Sequence, residues 1–267
     1  MESLAAVDVR DGIVHVGHST HLICVGGMRM LTDPWFYDPA FGALDHARGP
    51  AVAPDQLGRL DAILVSHEHP DHADFRAMDQ MDKRAVMVVA TEALATQARL
   101  RGFREAHVLR PWESLMVGPV RVHAVPALHD VYEIGFVVEG PPAPPGTLAP
   151  PAPRRVYFAG DTKLHPDLEA IAERFRPTFA ILPVDGTRIR TEALAVMTPE
   201  DAVTAARRLR VRAVMPSHAE AVFVDPLAEY LLAANIPEAA RKFAELAGRD
   251  LPGVTCFSPE VGGLTLL

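Results

Sequence analysis

The chain reads AILVS at residues 62–66 and HEHPDH at residues 67–72. The apolar run predicts a buried strand, and the run after it brings three imidazoles and a carboxylate within six positions. Histidine nitrogen and carboxylate oxygen both bind divalent metals well. Side chains two apart point the same way in an extended backbone, so the first two histidines can converge on one ion while the aspartate and the third histidine approach a second. The stretch predicts a metal site built from His67, His69, Asp71 and His72.

The pattern H-x-H-x-D-H at the end of a strand resembles the metallo-β-lactamase fold superfamily, whose dinuclear sites add three later ligands to this motif. Three later segments match in the expected order: VPALHD ending at Asp130, FAGDT ending at Thr162 and VMPSH ending at His218. The resemblance implies that one metal ion is held by His67, His69 and His129, that the other is held by Asp71, His72 and His218, and that Asp161 bridges them. It also implies that Asp71 and Asp161 are catalytic.

The same resemblance implies an α/β fold, a four-layer αββα sandwich with the site at one edge between two sheets. We expect a single domain over residues 1–267, because a boundary in the middle of the chain would split the ligand set. Strands and helices alternate along the sequence. An antiparallel strand series is predicted at residues 7–32, and helices at residues 92–101 (capped by Thr91), 166–175, 199–210 (capped by Thr198), from residue 225, and at 237–247 ending at Gly248.

Residues 140–153 hold seven prolines and two glycines between two predicted strands. This composition indicates a solvated loop that contributes no element of the fold. A proline-rich segment that docks onto a partner is the alternative interpretation.

Composition limits the classes of partner. The net charge of −8 and the lack of a basic run argue against nucleic acid. Cys24 and Cys256 are too few for a disulfide framework, and we expect buried free thiols. No secretory signal and no apolar stretch of about 18 residues is visible, so we expect a cytoplasmic protein without a membrane span. The oligomeric state is left open.

Two divalent ions a few ångströms apart share a solvent oxygen and lower its pKa toward about 7, which supplies hydroxide at neutral pH. The chemistry predicted is therefore hydrolysis of a small ester, lactone or phosphoester. The ligand set has no cysteine and fits zinc or manganese, and iron also fits. A dinuclear iron oxidoreductase is the main alternative, and a non-catalytic metal-binding protein is the third.

Segments at both ends resemble the UlaG-like (ascorbate-6-phosphate lactonase-like) and N-acylphosphatidylethanolamine phospholipase D-like branch: GHST at residues 17–20, LTDP at 31–34 and MTPEDA at 197–202. Four polar residues in or near these segments each allow two interpretations. His18 and Asp33 contact substrate or support ligands, or else cap strands and turns. Asp185 orients a ligand histidine or lies in a plain turn, and Glu220 approaches the site or begins the next segment. No role is predicted for His15, His21, His46, His107, His123 and His165.

Overall fold

The computed structural model describes residues 4, 11–142, 153–189, 193–224 and 233–267. The strands in these residues are β1 (Gly12–Gly17), β2 (Thr20–Val25), β3 (Met28–Thr32), β4 (Leu44–His46), β5 (Ala62–Val65), β6 (Val86–Val89), β7 (Ala106–Val108), β8 (Ser114–Val117), β9 (Val120–Pro126), β10 (Ile134–Glu139), β11 (Arg155–Phe158), β12 (Phe179–Pro183), β13 (Arg188–Ile189), β14 (Ala193–Leu194), β15 (Ala213–Ser217), β16 (Ala221–Phe223), β17 (Ala233–Ala234), β18 (Thr255–Cys256) and β19 (Leu264–Leu266). The α-helices are α1 (Phe75–Met78), α2 (Glu92–Leu100), α3 (Asp167–Phe175), α4 (Pro199–Leu209) and α5 (Ala239–Asp250), and a 3-10 helix spans Pro54–Leu57.

Two seven-stranded sheets form the body of the fold. The first has the order β19-β1-β2-β3-β5-β6-β7 and the second the order β18-β15-β12-β11-β10-β9-β8. Each sheet is antiparallel in one part and parallel in the other, as in β3-β5-β6 and β11-β12-β15. Parallel neighbours need a crossover, and helices provide it here, with α2 between β6 and β7 and α3 between β11 and β12. The carboxyl ends of parallel strands therefore meet at one edge of each sheet.

The two sheets pack face to face over an apolar core that includes Leu22, Phe136 and Ile181. A second apolar cluster joins the outer face of the second sheet to α3, α4 and α5, with Leu168 and Phe243 fully buried. On the other side, α2 lies against β6 and β7. The predicted four-layer αββα sandwich is confirmed, whereas the single-domain organisation stays a prediction.

Helix starts follow the sequence signals. The hydroxyl of Thr91 accepts a hydrogen bond from the backbone N–H of Leu94. Thr198 and Asp201 form a reciprocal capping box, in which each side chain accepts from the other residue's backbone N–H at 3.1 and 3.2 Å. The last helix differs from the prediction, because α5 continues through Gly248 to Asp250. The helix predicted to begin at Asp225 lies outside the described residues.

Small sheets were not predicted. Strand β4 pairs with β16, and β13 pairs with both β14 and β17. These strands are two or three residues long, and the segments that β4 and β16 bring together are about 175 positions apart. Strands this short do not show the alternation of apolar and polar residues that predicts a strand, so their formation depends on tertiary contacts. The β4–β16 pair packs with the fully buried Trp35.

Both cysteines are free, but only Cys24 is buried as predicted. Cys256 lies in the short strand β18 at the edge of the second sheet, where it is half-buried, so that part of the prediction is wrong. Within the described residues, no helix combines the length and apolar character that crossing a membrane requires. Most of the predicted proline-rich loop, residues 143–152, lies outside the described part of the chain.

Removing the α4 cap tests this account of the helix start. Thr198→Ala removes the hydroxyl that accepts from the N–H of Asp201 and donates to the Asp201 carboxylate. We expect a loss of about 1 kcal/mol in the free energy of unfolding. Thr198→Ser keeps the hydroxyl and should remain close to wild type. Urea denaturation followed by circular dichroism measures both, and equal stability of the alanine and serine variants would contradict the capping role.

Shortening the proline-rich loop tests whether it is a solvated excursion. Glu139 pairs with Arg155, and the N–H of Gly140 donates to the carbonyl of Arg154 at 2.9 Å, so the two strands are already closed at this point. Replacing residues 141–153 by Asn-Gly should preserve the melting temperature and the metal content, because loop-closure entropy changes only slowly with length. A shortened protein that cannot fold or hold metal would show that the segment is part of the structure.

Candidate metal centre

The predicted ligands lie at the carboxyl ends of strands from both sheets. The HEHPDH turn follows β5, and the three later positions His129, Asp161 and His218 follow β9, β11 and β15. Strands β9 and β11 are both antiparallel to β10 and so end at the same edge, which β15 shares because it runs parallel to β12 and β11. The fold thus brings segments up to 150 residues apart to one edge between the sheets.

Three histidines form the first group of the site. The Nδ1 atom of His69 lies 3.0 Å from Nε2 of His67 and 3.3 Å from Nε2 of His129. Together with a carboxylate oxygen of Asp161, these atoms all lie within 4.8 Å of one another. Three imidazole nitrogens that converge in this way can surround one metal ion.

A second group lies on the other side of Asp161. It contains His72, His218 and Asp71, whose ligand atoms lie within 4.8 Å of one another, and His18 joins the same group. The Oδ2 atom of Asp161 lies 3.0 Å from Nε2 of His72 and 3.0 Å from Nε2 of His218. Asp161 is therefore placed between the two groups, and the structure brings all seven predicted residues together.

Acceptor oxygens lie behind four of the histidines. In each ring the Nδ1 atom, which faces away from the centre of the site, lies within 3.2 Å of such an oxygen. The four distances are 2.8 Å from His72 to Asp33 Oδ2, 3.0 Å from His218 to Asp185 Oδ2, 3.0 Å from His129 to the Ala195 carbonyl and 3.2 Å from His67 to Glu133 Oε1. A proton held on the outer nitrogen leaves the inner nitrogen with a free lone pair, which is the form that binds a metal.

The backbone near the site is unusual. His18, Asp33 and His218 have φ angles of 50°, 32° and 54°, in the left-handed region that residues other than glycine rarely adopt. Asp33 is held there by Ser66, whose N–H and hydroxyl donate to the two carboxylate oxygens at 2.7 and 2.6 Å. Strained residues persist where surrounding contacts fix them, and they concentrate at functional sites.

The protonation states of the grouped residues follow from burial and from their mutual charges. Burial opposes ionisation of Asp71 and Asp161, but the neighbouring charges of His72 and His218 hold the pKa of both carboxyl groups well below the usual range. Burial, with the neighbouring His72 next in importance, lowers the pKa of His67 to about 3. Burial and His67 lower the pKa of His69 to about 4. At neutral pH the two aspartates are therefore anionic, and His67 and His69 are neutral. Burial disfavours the charged form of His72 and His218, but the Asp161 carboxylate outweighs it and holds the pKa of both rings well above the usual range. A metal ion that binds to these two rings would displace a proton from each.

Unpartnered atoms support the fit of metal ions here. The Oδ1 atoms of Asp71 and Asp161 are buried and make no hydrogen bond within the described residues. Buried carboxylate oxygens nearly always have a partner, so two such atoms among the grouped residues fit a site shaped for cations. The donor set is nitrogen and oxygen without thiolate, which divalent zinc, manganese and iron accept.

The structure also distinguishes between the interpretations left open for other polar residues. Asp33 and Asp185 lie behind site histidines, as one of their interpretations predicted. Glu220 lies outside the grouped residues, and its Oε2 atom is 3.5 Å from Nε2 of His15. The sequence did not point to Glu133, because a single glutamate directly before β10 carries no sequence signal. His21, His46, His107, His123 and His165, together with His15, lie outside the grouped residues.

A cavity of about 290 Å³ opens onto the two groups. Its floor contains His69, Asp71, His129, Asp161, Asp185 and His218, and its walls are mainly apolar: Phe41, Ala43, Leu44, Ala195, Val196, Ala221 and Phe223. The Phe41 ring lies against the His69 ring with centroids 5.3 Å apart. Thr187 and Asn235 are the other polar residues among the described lining residues.

Comparisons with known proteins agree with this class of fold and site. The family model described as "Beta-lactamase superfamily domain" matches residues 28–219. A metal-dependent hydrolase of Rubrobacter xylanophilus is 32% identical over 221 residues, which cover 77% of this chain and 80% of the relative. The chain belongs to the beta-lactamase superfamily and, within it, to this family of metal-dependent hydrolases. The narrower assignment to the UlaG-like branch stays a prediction.

Solved structures share the fold at lower identity. An isothiocyanate hydrolase from Delia radicum gut bacteria superposes with a TM-score of 0.71 at 19% identity, covering 96% of this chain and 98% of that one. The diiron β-hydroxylase CmlA from Streptomyces venezuelae gives 0.71 at 18% identity, covering 97% of this chain and 55% of that one. The same sandwich is therefore found in proteins with different chemistry.

Metal analysis of two variants tests the grouping. His69→Ala removes a nitrogen from the first group and Asp161→Ala removes the oxygen between the groups, so we expect each to lower the metal content from about two ions per chain. His107→Ala, at a half-buried histidine outside the groups, should leave the content unchanged. Elemental analysis of purified protein measures all three, and wild-type stoichiometry in both site variants would remove the assignment.

Proposed function

We propose that this protein is a dinuclear metal-dependent hydrolase of small, uncharged esters or lactones. The observation that carries the proposal is the arrangement of seven histidine and aspartate side chains in two groups around Asp161, at the floor of an apolar cavity.

The residues would hold the ions in two positions. His67, His69 and His129 form the first position, Asp71, His72 and His218 form the second, and Asp161 contributes to both, because its Oδ2 atom lies 3.9 Å from His67 Nε2 as well as 3.0 Å from the second group. When bound, two divalent ions supply Lewis acidity and hydroxide at neutral pH. Zinc or manganese is proposed from the ligand types.

The two aspartates act as fixed acceptors. Both line the cavity, and a pKa held well below the usual range makes each a weak proton acceptor at neutral pH. Their role is then to orient a nucleophile through its hydrogen and to keep negative charge at the floor. The histidine rings around these two aspartates are in turn oriented by three carboxyl groups, those of Asp33, Asp185 and Glu133.

The cavity favours uncharged substrates over phosphoesters. Phosphate groups are usually bound by arginine or lysine, through paired charge-assisted hydrogen bonds. Neither residue type occurs among the described residues that line the cavity, whereas Phe41, Leu44 and Phe223 supply apolar contact. Its volume of about 290 Å³ lies at the lower end for ligand pockets, which suits a small acyl group or lactone ring.

A dinuclear iron oxidoreductase is the second candidate. The donor set accepts iron as well as zinc or manganese, and the diiron hydroxylase CmlA has the same fold. A non-catalytic metal-binding protein is the third. Elemental analysis of protein purified without added metal, together with a visible absorption spectrum, separates iron from the other metals. Wild-type protein that binds metal but shows neither hydrolysis nor redox activity indicates the third candidate. Failure of the wild type to take up metal on reconstitution contradicts all three.

Substrate preference tests the proposed function. Metal-loaded protein should turn over short-chain p-nitrophenyl esters or simple lactones with a higher kcat/KM than bis(p-nitrophenyl) phosphate. Phe41→Ala should lower kcat/KM for a butyrate ester about tenfold by loss of apolar contact. Leu100→Ala removes an exposed side chain of α2 that does not line the cavity, and it should have no effect.

Three outcomes would contradict different parts of this proposal. Faster turnover of the phosphodiester would remove the preference for uncharged substrates. Efficient cleavage of structured RNA without turnover of the small reporters would remove the small-molecule assignment. Fully metallated protein that hydrolyses none of these substrates would remove the ester and lactone assignment.

A further inference from the structure

His18 lies at the turn between β1 and β2, and its backbone is tied to the site. Its carbonyl oxygen accepts from the N–H of His218 at 3.4 Å and from the hydroxyl of Ser217 at 3.3 Å. The φ angle of 50° directs the turn inward at the cost of backbone strain. A turn of the first sheet is therefore fixed against the end of β15 in the second sheet.

The side chain of His18 is fully buried, and neither ring nitrogen makes a hydrogen bond within the described residues. Its ring centroid lies 4.0 Å from that of His218, and the Trp35 ring meets it edge-on at 5.1 Å. Its Nε2 atom lies 3.8 Å from Oδ2 of Asp71, which is too long for a hydrogen bond. Leaving a buried imidazole without any partner is costly, so a partner absent from the chain itself is indicated.

A substrate does not provide that partner. His18 is not among the described residues that line the cavity, whereas its neighbour His218 is. A metal ion in the second group does provide it, because one ring nitrogen of His18 lies within 4.8 Å of the ligand atoms of Asp71, His72 and His218.

We propose that His18 is a further ligand of the metal ion held by Asp71, His72 and His218. This inference rests on the metal centre of the proposed function and adds a protein ligand to one position. The second position then has three histidines and Asp71, with Asp161 shared, whereas the first has three histidines and the shared Asp161. The second position should retain its ion more firmly and accept ions that prefer more than four ligands.

A ring substitution tests the proposal without emptying the core. His18→Phe keeps an aromatic ring between Trp35 and His218 but removes both nitrogens. We expect it to weaken binding of one of the two ions by at least about 10-fold, because loss of a group that only orients a metal ligand already costs about 10- to 100-fold. His21→Phe is the matched control, since His21 is also a fully buried histidine, on β2, but lies outside the ligand groups.

Isothermal titration of metal-free protein with Zn²⁺ or Mn²⁺ gives the two affinities, and the spectrum of the Co²⁺-loaded protein reports the number of ligands. A weaker second site in His18→Phe, with an altered cobalt spectrum and an unchanged His21→Phe, supports the proposal. Wild-type affinity and an unchanged spectrum in His18→Phe overturn it and leave His18 as a packing residue.

A measurement on the wild type covers the case in which His18→Phe does not fold. In a crystal structure of the metal-loaded protein, a nitrogen of His18 should lie about 2.0–2.2 Å from the second ion. A separation beyond about 3 Å overturns the proposal. Neither the titration nor the crystal structure measures hydrolysis, so this test stays valid if the protein does not hydrolyse the proposed substrates. Wild-type protein that takes up no metal overturns both the proposed function and the role of His18.

Discussion

The Asp161 carboxylate is the constraint on which the rest of the site depends. Its Oδ2 atom lies within 3.0 Å of two histidines and 3.9 Å of a third, so the two groups are held at one spacing only while it stays in place. Its backbone N–H donates to Glu133 at 2.7 Å. Gly160 precedes it with a φ of 67°, and a Cβ there would lie 2.2 Å from Glu133 Oε1. Glycine at this position is therefore required both by the backbone conformation and by the close approach of Glu133.

Burial of so many polar groups at one edge would be destabilising without mutual contacts. Four of the histidines have an oxygen acceptor on the side away from the centre, and Ser66 in turn holds Asp33. The side-chain nitrogen and oxygen atoms that face the centre make few hydrogen bonds within the described residues. This is expected of side chains arranged to bind cations. Stability of the fold and metal binding are thus coupled, because bound ions would neutralise the buried charges that lie close together in the metal-free protein.

The cavity adds selectivity to a centre whose ligands do not choose among reactions. Proteins with this sandwich include hydrolases and a diiron hydroxylase, so the fold by itself does not select the chemistry. The loop around Phe41 and the β4–β16 pair supply the apolar walls, while the ligands lie at strand ends. Variation of these walls would change the substrate without disturbing the metal positions.

The sequence by itself predicted the strands that carry the site, the four residues of the HEHPDH turn and the helix caps at Thr91 and Thr198, because each depends on short-range geometry: a period of two, a fixed spacing or one side-chain hydrogen bond. His129, Asp161 and His218 were predicted from the resemblance of their segments to a known family, and the fold brings them to the same place. The sequence left two interpretations for Asp33 and Asp185 and gave no sign of Glu133. Their roles depend on which histidine ring each one faces across 33 to 66 positions of chain, and only the packing of the sheets decides that. The small sheets, the cavity and the unpartnered ring of His18 have the same origin, since each arises where segments distant in sequence meet and no local pattern encodes the meeting.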